Sequence, residues 1–374
     1  MKYYLIAGEA SGDLHGSNLI KALKKLDPDS SFRVWGGDNM EQAGATLVKH
    51  YRDHAIMGIF PVLRKLGVII RNFREVTRDI RQFTPDVLIL IDYSGFNLRV
   101  AKRVRPFGFK IFYYISPQVW AWRKYRVHDI KKRVDKMYCV LPFVKEFYKQ
   151  YDFDATYVGH PLLDAVEDFK NGFNHSESTF LKDHDLIDQP FIVLLPGSRK
   201  QEIETQLPVM LEAAKNFPGH QFVIAGAPSV ELVFYQLFIK NFPVHIIFNK
   251  TYSLLSFSRA AIVTSGTATL EAALFKVPEV VCYRTGAVSA FIVKSLVDVK
   301  YISLVNLIMD EEVVKELIQK DMTAANVTRE LHLILEDENY RKIMLEKMEV
   351  LRTKLGGPGA SIRAARDIIS RLKA

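Results

Sequence analysis

The sequence predicts an α/β protein made of two doubly wound parallel sheets covered by helices. Short apolar runs alternate with longer amphipathic stretches, an order typical of parallel strands joined by helical crossovers. The alternation lapses in the polar stretch 167–189 and then resumes, and 374 residues suffice for two domains of about 150 residues each. Two such domains facing each other across a cleft would bind ligands at the carboxyl ends of their strands.

Each domain is predicted from its own series of strands. The first-domain strands are 3–7, 32–35, 87–92, 110–115, 137–141 and 156–158, with helices at 14–26 and 68–83 among others. The second-domain strands are 191–195, 221–225, 245–248, 261–264 and 280–283. From about residue 311 the chain reads as helical and charged, and Gly356-Gly357-Pro358-Gly359 precedes a final helix, 360–372. We expect domains at 1–165 and 166–349, with 350–374 packing back on the first.

Composition restricts the class of protein. The chain is 48% hydrophobic and 25% charged, as soluble globular proteins are, and its net charge of +9 favours anionic partners. No apolar run reaches the roughly 18 residues that span a membrane, and no cleavable signal begins the chain, so we expect a cytoplasmic protein. Cys139 and Cys282 lie in apolar runs without a CxxC partner and are interpreted as packed thiols.

Two features follow strands of the first domain. GEASGDLHG, residues 8–16, resembles a phosphate-binding loop, but its glycine spacing fits neither nucleotide-binding fingerprint, and Glu9 and Asp13 would repel an anion. Asp92 ends a buried strand, where an acid is partly desolvated and suited to act as a general base. The alternative role for Asp92 is capping the next helix, although Ser94 and Asn97 could supply that cap.

Two loops of the second domain are suited to bind an anion. In the first, Gly197 allows close approach of a ligand, Ser198 and Glu202 can form a capping pair, and Arg199 offers a fork of donors to a phosphate. In the second, a strand ends in small residues that open a helix and so expose backbone N–H groups to a pyrophosphate: Ser265, Gly266, Thr267, Ala268 and Thr269. Glu271 could accept hydrogen bonds from a sugar hydroxyl. Ordinary helix capping is the alternative for both loops.

The sequence predicts a membrane contact but no metal site. Three Asp-x-Asp pairs occur, at 27–29, 152–154 and 183–185, but none follows a buried strand, so we expect no metal. Segment 57–70 is richer in large apolar groups than one helix stripe requires and is rimmed by basic residues, as expected of a surface resting on an anionic leaflet. A buried helix with a basic outer face is the alternative. The predicted lipid contacts are Met57, Ile59, Phe60, Val62, Leu63, Leu66 and Ile69.

The motifs together resemble one known family over the whole chain. GEASGDLHG, Met57-Gly58, Asp92-Tyr-Ser-Gly-Phe-Asn, SPQVWAW at 116–122, VGHP at 158–161, LPGSR at 195–199, SGTATLE at 265–271 and LVNL at 304–307 occur in the order found in lipid-A-disaccharide synthases. The resemblance implies a B-type glycosyltransferase fold. It also implies an inverting, metal-independent enzyme without a cofactor that acts at the inner membrane of a Gram-negative-type bacterium.

The same resemblance implies substrates and residue roles. The enzyme would join UDP-2,3-diacylglucosamine to the 6-hydroxyl of 2,3-diacylglucosamine 1-phosphate (lipid X), releasing UDP. It matches Asp92 to the base, Arg199 to the UDP site and Asn306 to an active-site asparagine, which we place among the residues that bind UDP. The first-domain loop then becomes the acceptor side, with these expected residues: Gly8, Glu9, Ser11, Gly12, Asp13 and Asn97. A homodimer that exchanges its C-terminal segments is also implied.

Two alternatives stay open at this stage. A UDP-N-acetylglucosamine 2-epimerase would share the fold and the donor but would have no use for acyl chains. A non-enzymatic RNA-binding module would use the basic helix 123–133, and its affinity would fall steeply with salt.

Overall fold

The structure, a computed structural model, describes residues 1–54, 66–122, 124–285 and 300–374. The chain divides into two compact units. The first comprises Met1–Asp164 together with Gly357–Ala374, and the second comprises Ala165–Gly356. Each unit is built on its own sheet, and every strand pairing in both sheets is parallel.

The first unit is a seven-stranded sheet with helical crossovers, in the order β3-β2-β1-β4-β5-β6-β7. Its strands are β1 (Lys2–Ala7), β2 (Ser31–Gly36), β3 (Thr46–His50), β4 (Val87–Ile91), β5 (Lys110–Tyr114), β6 (Lys136–Cys139) and β7 (Ala155–Tyr157). Its helices are α1 (Ala10–Leu26), α2 (Asp38–Gln42), α3 (Tyr51–His54), α4 (Leu66–Phe83), α5 (Ser94–Val104), α6 (Val119–Trp122), α7 (Val127–Arg133) and α8 (Pro142–Lys149). Helix α9 (Pro161–Gly172) begins in this unit and continues into the second.

The second unit is a six-stranded sheet in the order β10-β9-β8-β11-β12-β13. Its strands are β8 (Phe191–Leu195), β9 (Gln221–Gly226), β10 (Val244–Phe248), β11 (Ala260–Thr264), β12 (Glu279–Tyr283) and β13 (Lys315–Ile318). Its helices are α10 (Glu177–Asp183), α11 (Lys200–Ala214), α12 (Leu232–Ile239), α13 (Thr251–Phe257), α14 (Thr267–Leu274), α15 (Leu304–Met309), α16 (Ala324–Glu336) and α17 (Glu338–Leu355).

Strand order places one topological switch point in each sheet. In the first sheet β1 lies beside β4, and the chain runs outward from β1 in one direction and from β4 in the other. In the second sheet β8 and β11 have the same relationship. Ligands of doubly wound proteins bind outside the carboxyl ends of the strands at such a point. The loops after β1 and β4, and those after β8 and β11, are therefore where each unit offers a site.

The C-terminal helix α18 (Ala360–Lys373) belongs to the first unit. Asp164 accepts hydrogen bonds from the backbone N–H groups of Gly359 and Ala360, and Arg363 donates to the carbonyl of Val158. Along the helix, Asp367 accepts from the Tyr138 hydroxyl at 2.9 Å. The helix is thus held at its start and its middle by groups of the first unit.

The predicted fold class is confirmed, and two strands were missed. All eleven predicted strands are present within two residues of their expected bounds. The missed strands, β3 and β13, lie at the outer edges of their sheets, and β13 corrects the prediction that everything after residue 311 is helical. Both cysteines are free and buried, and burial raises the pKa of each thiol to about 12, as expected for packed thiols.

Candidate active site

The glycines of GEASGDLHG serve packing at the first switch point. A Cβ on Gly8 would lie 2.2 Å from the ring of Tyr93, and one on Gly12 would lie 3.2 Å from the Cβ of Ala7. These glycines therefore let Tyr93 and helix α1 approach the end of β1, and the contacts they allow are with protein atoms. Ser11 is exposed and Glu9 is half-exposed at the N-cap of α1, so both can reach a ligand.

Asp13 has a structural role. Its carboxylate is buried and accepts four hydrogen bonds, from the backbone N–H groups of Gly37, Asn39 and Met40 and from the side-chain amide of Asn39. Four bonds occupy the acceptor sites of a carboxylate. The prediction that Asp13 contacts the acceptor sugar is therefore not supported, and its carboxylate instead caps the start of helix α2.

Asp92 occupies a strained turn directly after β4. Asp92 and Tyr93 both have left-handed backbones, with φ of 42° and 45°. This conformation costs about 1–2 kcal/mol per residue for side chains other than glycine, and it persists only where the surroundings enforce it. Neither Ser94 nor Asn97 is the N-cap of helix α5; that position is Tyr93, whose side chain makes no capping hydrogen bond. The surrounding structure therefore enforces this turn at the switch point independently of helix capping.

Two buried side chains hold the Asp92 backbone in place. Asn97 is fully buried and its amide nitrogen donates to the carbonyls of Ile91 and Asp92, at 3.1 and 2.8 Å. The hydroxyl of Tyr113, on β5, donates to the same Asp92 carbonyl. Asn97 was predicted to face the acceptor, but the structure makes it a support for Asp92. Tyr113 was not predicted; the available signal was a tyrosine near the end of the strand beside β4.

The Asp92 carboxyl has the electrostatic properties of a general base. The Asp92 side chain is exposed, yet the pKa of its carboxyl group is raised from 3.8 to about 6, chiefly because surrounding atoms desolvate it. The nearby carboxylate of Glu9 contributes to the same rise, and a hydrogen bond from the Tyr93 backbone opposes it. A base with a pKa near 6 is mostly ionised at pH 7 and still takes up a proton readily.

Removing the Tyr113 hydroxyl tests this support. We expect Tyr113→Phe to lower kcat roughly threefold to tenfold because one hydrogen bond, worth about 1 kcal/mol, no longer holds the Asp92 turn. The buried ring keeps its packing, so KM for the donor should not change. In an Asp92→Asn background the same substitution should cost nothing further, measured as kcat of the double variant. A full additional loss in that background would show that Tyr113 does not act through Asp92.

The loop after β8 is held in shape by Glu202. Gly197 has a φ of 117°, and a Cβ there would lie 2.6 Å from the Cβ of Glu202, so only glycine fits. Glu202 accepts from the backbone N–H groups of Ser198 and Arg199, at 2.9 and 3.3 Å. Arg199, not Ser198 as predicted, occupies the N-cap of α11. The Arg199 side chain is 61% exposed and its guanidinium pairs with Glu202 at 2.9 Å, so it is available to an anion.

The loop after β11 opens helix α14 without a side-chain cap. Gly266 is the N-cap, with a φ of 154° and open space where a Cβ would lie, and both Gly266 and Thr267 are exposed. Thr269 is fully buried and its hydroxyl donates to the carbonyl of Gly266, while Ala268 packs against the hydrophobic core. The exposed helix start at 266–267 is therefore the part of SGTATLE that a phosphate can approach.

Glu271 lies one turn into α14, and one of its two carboxylate oxygens is occupied by a protein hydrogen bond. The hydroxyl of Tyr252 donates to one carboxylate oxygen of Glu271 at 3.0 Å. Desolvation raises the pKa of Glu271, and the bond from Tyr252 opposes the shift. Its second oxygen keeps its acceptor capacity, and a hydrogen bond from a sugar hydroxyl to Glu271 stays a prediction.

Asn306 is saturated by protein groups. It is fully buried, its amide nitrogen donates to Val314 and Glu316, and its amide oxygen accepts from the backbone N–H groups of Val313 and Val314, all at 2.8–3.0 Å. Every donor and acceptor site of the amide is used. The prediction that Asn306 contacts UDP is therefore not supported, and we interpret it as a positioning residue.

Glu316 connects Asn306 to the loop after β11. Its carboxylate accepts from the backbone N–H groups of Ile302 and Ser303, at 3.0 and 2.9 Å. The carbonyl of Ile302 in turn accepts from the hydroxyl of Ser265 at 2.9 Å. The sequence did not single out Glu316, because it lies on the edge strand β13 and its partners precede it by 10 to 14 residues.

Most of the predicted lipid contacts lie outside the residues that the structure describes. Met57, Ile59, Phe60, Val62 and Leu63 lie outside the described residues, as does the side chain of Leu66, while Ile69 is half-buried on α4. Among the residues that the structure describes, no group of three His, Cys, Asp or Glu side chains could hold a metal. The predicted absence of a metal stays a prediction.

Two doubly wound units with ligand-accessible loops at both switch points define the fold class of the B-type nucleotide-sugar enzymes. Structures of that class superpose over the whole chain. UDP-GlcNAc 2-epimerase from Neisseria meningitidis, bound to UDP-GlcNAc, gives a TM-score of 0.68 at 15% identity, covering 100% of both chains. S. aureus MnaA with UDP gives 0.71 at 12% identity, covering 100% of this chain and 97% of the other. At such identities the likeness shows the fold alone. The epimerase alternative therefore has only a resemblance of fold to support it.

Sequence relationships identify the family. Residues 3–363 match the family described as Lipid-A-disaccharide synthetase. The lipid-A-disaccharide synthase of Syntrophus aciditrophicus is 39% identical over 368 residues, covering 96% of this chain and 95% of the relative. That of Myxococcus xanthus is 36% identical over 374 residues, covering 98% and 97%. The chain belongs to the lipid-A-disaccharide synthase family and is a glycosyltransferase of lipid A biosynthesis.

Proposed function

We propose that this glycosyltransferase forms the β-1,6 bond of the lipid A disaccharide by direct displacement, with Asp92 as the general base. The donor is UDP-2,3-diacylglucosamine and the acceptor is 2,3-diacylglucosamine 1-phosphate. The observation that carries the proposal is the Asp92 carboxyl itself, held in a strained turn at a switch point with its pKa raised to about 6. Both features are typical of catalytic groups.

The proposed step transfers one proton and one glycosyl group. An oxygen of the Asp92 carboxylate accepts the proton of the acceptor 6-hydroxyl while the hydroxyl oxygen attacks the anomeric carbon of the donor. The bond between the anomeric carbon and the phosphate oxygen breaks, and UDP leaves with the electron pair. Attack from the face opposite the leaving group inverts the configuration and gives the β-linked product.

The donor diphosphate is proposed to bind at the second switch point. Arg199 and the open start of α14 at Gly266 and Thr267 offer a guanidinium, backbone N–H groups and the positive end of the helix dipole. Arg199 would exchange its pairing with Glu202 for the phosphate. The second carboxylate oxygen of Glu271 would accept from a sugar hydroxyl. This cationic and dipolar set would stabilise the charge that develops on departing UDP.

The acceptor is proposed to bind at the first switch point. Glu9 and Ser11 are the accessible polar side chains of the loop after β1, and Glu9 lies close enough to Asp92 to raise its pKa. Glu9 could therefore accept a hydrogen bond from a sugar hydroxyl next to the reacting one. Gly8 and Gly12 shape the loop, Asp13 connects α1 to the start of α2, and Asn97 holds the Asp92 carbonyl.

We further propose that the enzyme is a peripheral membrane protein that binds the cytoplasmic face of the inner membrane. The first unit carries 31 basic and 18 acidic residues, a net charge of +13, whereas the second carries 20 and 24, a net charge of −4. Helix α4 alone exposes arginines on one face: Arg71, Arg74, Arg78 and Arg81. Such a surface is attracted to anionic lipid. Within the described ranges, no helix is both long and apolar enough to cross a membrane.

A homodimer with exchanged C-terminal segments is proposed from the family alone. The contacts of α18 with the first unit, at Asp164, Val158 and Tyr138, would be the ones that a partner's helix repeats. The glycine-rich stretch 356–359 would be the hinge.

The proposed function is tested by the release of UDP from purified protein. We expect release only when both the acylated UDP-sugar and the acylated sugar 1-phosphate are present, and no loss of rate when EDTA is added. Release of UDP from UDP-N-acetylglucosamine without an acceptor would instead favour an epimerase-like enzyme. Loss of activity in EDTA, restored by a divalent ion, would contradict the predicted absence of a metal.

A further inference from the structure

Helix α12 exposes an apolar face in the second unit. Of its eight residues, LVFYQLFI, all but Gln236 are apolar. Val233 and Leu237 are 65% and 66% exposed, and Leu232 is exposed beside them. At 100° per residue these three positions fall on one arc together with Gln236 and Lys240. The face presents adjacent large apolar side chains to solvent, which a soluble surface rarely does without a partner.

The helix is fixed to its unit by the opposite side. Tyr235 is its one fully buried residue; the Tyr235 hydroxyl accepts from the backbone N–H of Ala227 at 2.9 Å, and the ring packs edge-on against Phe248. Phe234 and Phe238 pack against each other with centroids 5.5 Å apart. These aromatic side chains therefore fix the orientation of the helix, with its apolar face directed to solvent.

Two lysines lie beside this helix although the unit as a whole is acidic. The Nζ of Lys200 lies 5.4 Å from the ring centroid of Phe234 on the helix. Lys240 follows the helix on its exposed arc, and the segment 227–250 contains two lysines and a single acid, Glu231. An apolar face rimmed by cations complements an anionic lipid surface rather than an acidic or neutral protein surface.

The face is also connected to the loop that is proposed to hold the donor. The hydroxyl of Ser229, just before α12, donates to the carbonyl of Ser198 at 3.0 Å. Lys200, which contacts Phe234, is the next residue after Arg199. A lipid surface that meets α12 therefore lies next to the loop after β8, where a UDP-sugar carrying two acyl chains would arrive.

We propose that the face formed by Leu232, Val233 and Leu237, with Lys240 at its rim, docks on an anionic lipid bilayer and brings the donor's acyl chains to the second unit. The inference rests on the proposed function only for the acylated donor. It adds to the predicted lipid contacts at 57–70 a second contact, on the other unit.

The experiment measures binding to vesicles and turnover separately. The test variant is Val233→Ser/Leu237→Ser. The matched control is Ile343→Ser/Val350→Ser, which alters two residues of α17 that are 45% and 50% exposed in the same unit. Each protein is floated with phosphatidylglycerol/phosphatidylcholine vesicles and with pure phosphatidylcholine vesicles. Turnover is measured with detergent-dispersed substrates, and the oligomeric state by sedimentation.

We expect the test variant to lose about tenfold to a hundredfold in partition onto the anionic vesicles, because two exposed side chains no longer insert. The control should bind as the parent does, Lys240→Glu should reduce binding only to anionic vesicles, and detergent-dispersed turnover should be unchanged. Unchanged vesicle binding by the test variant overturns the proposal. A change of oligomeric state without a change of vesicle binding also overturns it and assigns the face to a second copy. If the parent protein showed no turnover, that result would count against the proposed function. The vesicle-binding measurement would still test the proposed lipid contact.

Discussion

Replacing Asp92 by asparagine is expected to lower kcat by about 10²–10⁴, the usual contribution of a general base. Asparagine keeps the size of the side chain and tolerates the left-handed backbone at this position, where φ is 42°. The Asn97 and Tyr113 bonds go to the Asp92 backbone carbonyl, so they survive the substitution. UDP is proposed to bind on the second unit, and its dissociation constant, measured by calorimetry, should not change.

A matched control separates loss of the base from a change in the backbone. Asp152 is an exposed aspartate of the same unit with a left-handed φ of 51°, so Asp152→Asn makes the same chemical change at the same conformation. It should have parental activity. If Asp92→Asn retained full kcat, Asp92 would not be the base.

The pH profile gives an independent measurement of the same group. The raised pKa of about 6 means that Asp92 is protonated, and inactive as a base, below that pH. In the parent, kcat/KM should therefore rise with pH through about 6 and level off above it. In Asp92→Asn the residual rate should not show this rise. A profile that is flat from pH 5 to 8 in the parent would contradict the assignment.

The sequence predicted those features that depend on local pattern. A buried central strand such as β4, VLILI, is an uninterrupted apolar run, and the residue that ends it must lie at the edge of the sheet where ligands bind. Asp92 and the loops after β8 and β11 could be predicted on that basis. Strands β3 and β13 could not, because edge strands are half-exposed and their sequences, TLVKH and KELI, mix polar and apolar residues without a clear period.

The roles of buried polar side chains were not predictable from local pattern. Asp13, Asn97 and Asn306 all stand in motifs beside the candidate ligand-binding loops, where a polar residue can face either a ligand or the protein. Their partners are remote in sequence or on another element; Asp13, for example, accepts from groups 24 to 27 residues away. Hydrogen-bonding capacity can be read from a residue type, but the groups that saturate it are brought together only by the fold.

Glu279 is a buried acid that the proposed mechanism does not use. It begins strand β12, pairs in register with Ala261, and is fully buried. In the described part of the chain, neither carboxylate oxygen of Glu279 has a hydrogen-bond partner. Desolvation raises the pKa of Glu279 well above its ordinary value of 4.5. The raised pKa therefore favours the neutral form of this carboxyl group in the folded protein, at the cost of an unsatisfied buried polar group.

Replacing Glu279 by methionine is expected to raise the free energy of unfolding by about 1–3 kcal/mol at pH 7.5, because an unpaired polar group is exchanged for an apolar one of similar volume. The gain should be larger at pH 7.5 than at pH 4.5. Above the ordinary pKa the unfolded chain releases the proton that the folded chain retains, so the stability of the parent falls as pH rises, and the variant lacks this term. The thermal midpoint of each protein at the two pH values measures the effect.

Glu204→Met is the matched control, since it makes the same change at an exposed position of α11 in the same unit. It should move the midpoint little, and equally at both pH values. A fall in the midpoint of Glu279→Met at pH 7.5 would mean that the carboxyl group is satisfied in the folded protein and contributes to its stability. A gain that is equal at both pH values would mean that Glu279 does not retain its proton on folding, and that its cost comes from packing alone. Only a gain that grows with pH fits a buried carboxyl group that the fold keeps neutral, because no other consequence of the substitution depends on the proton.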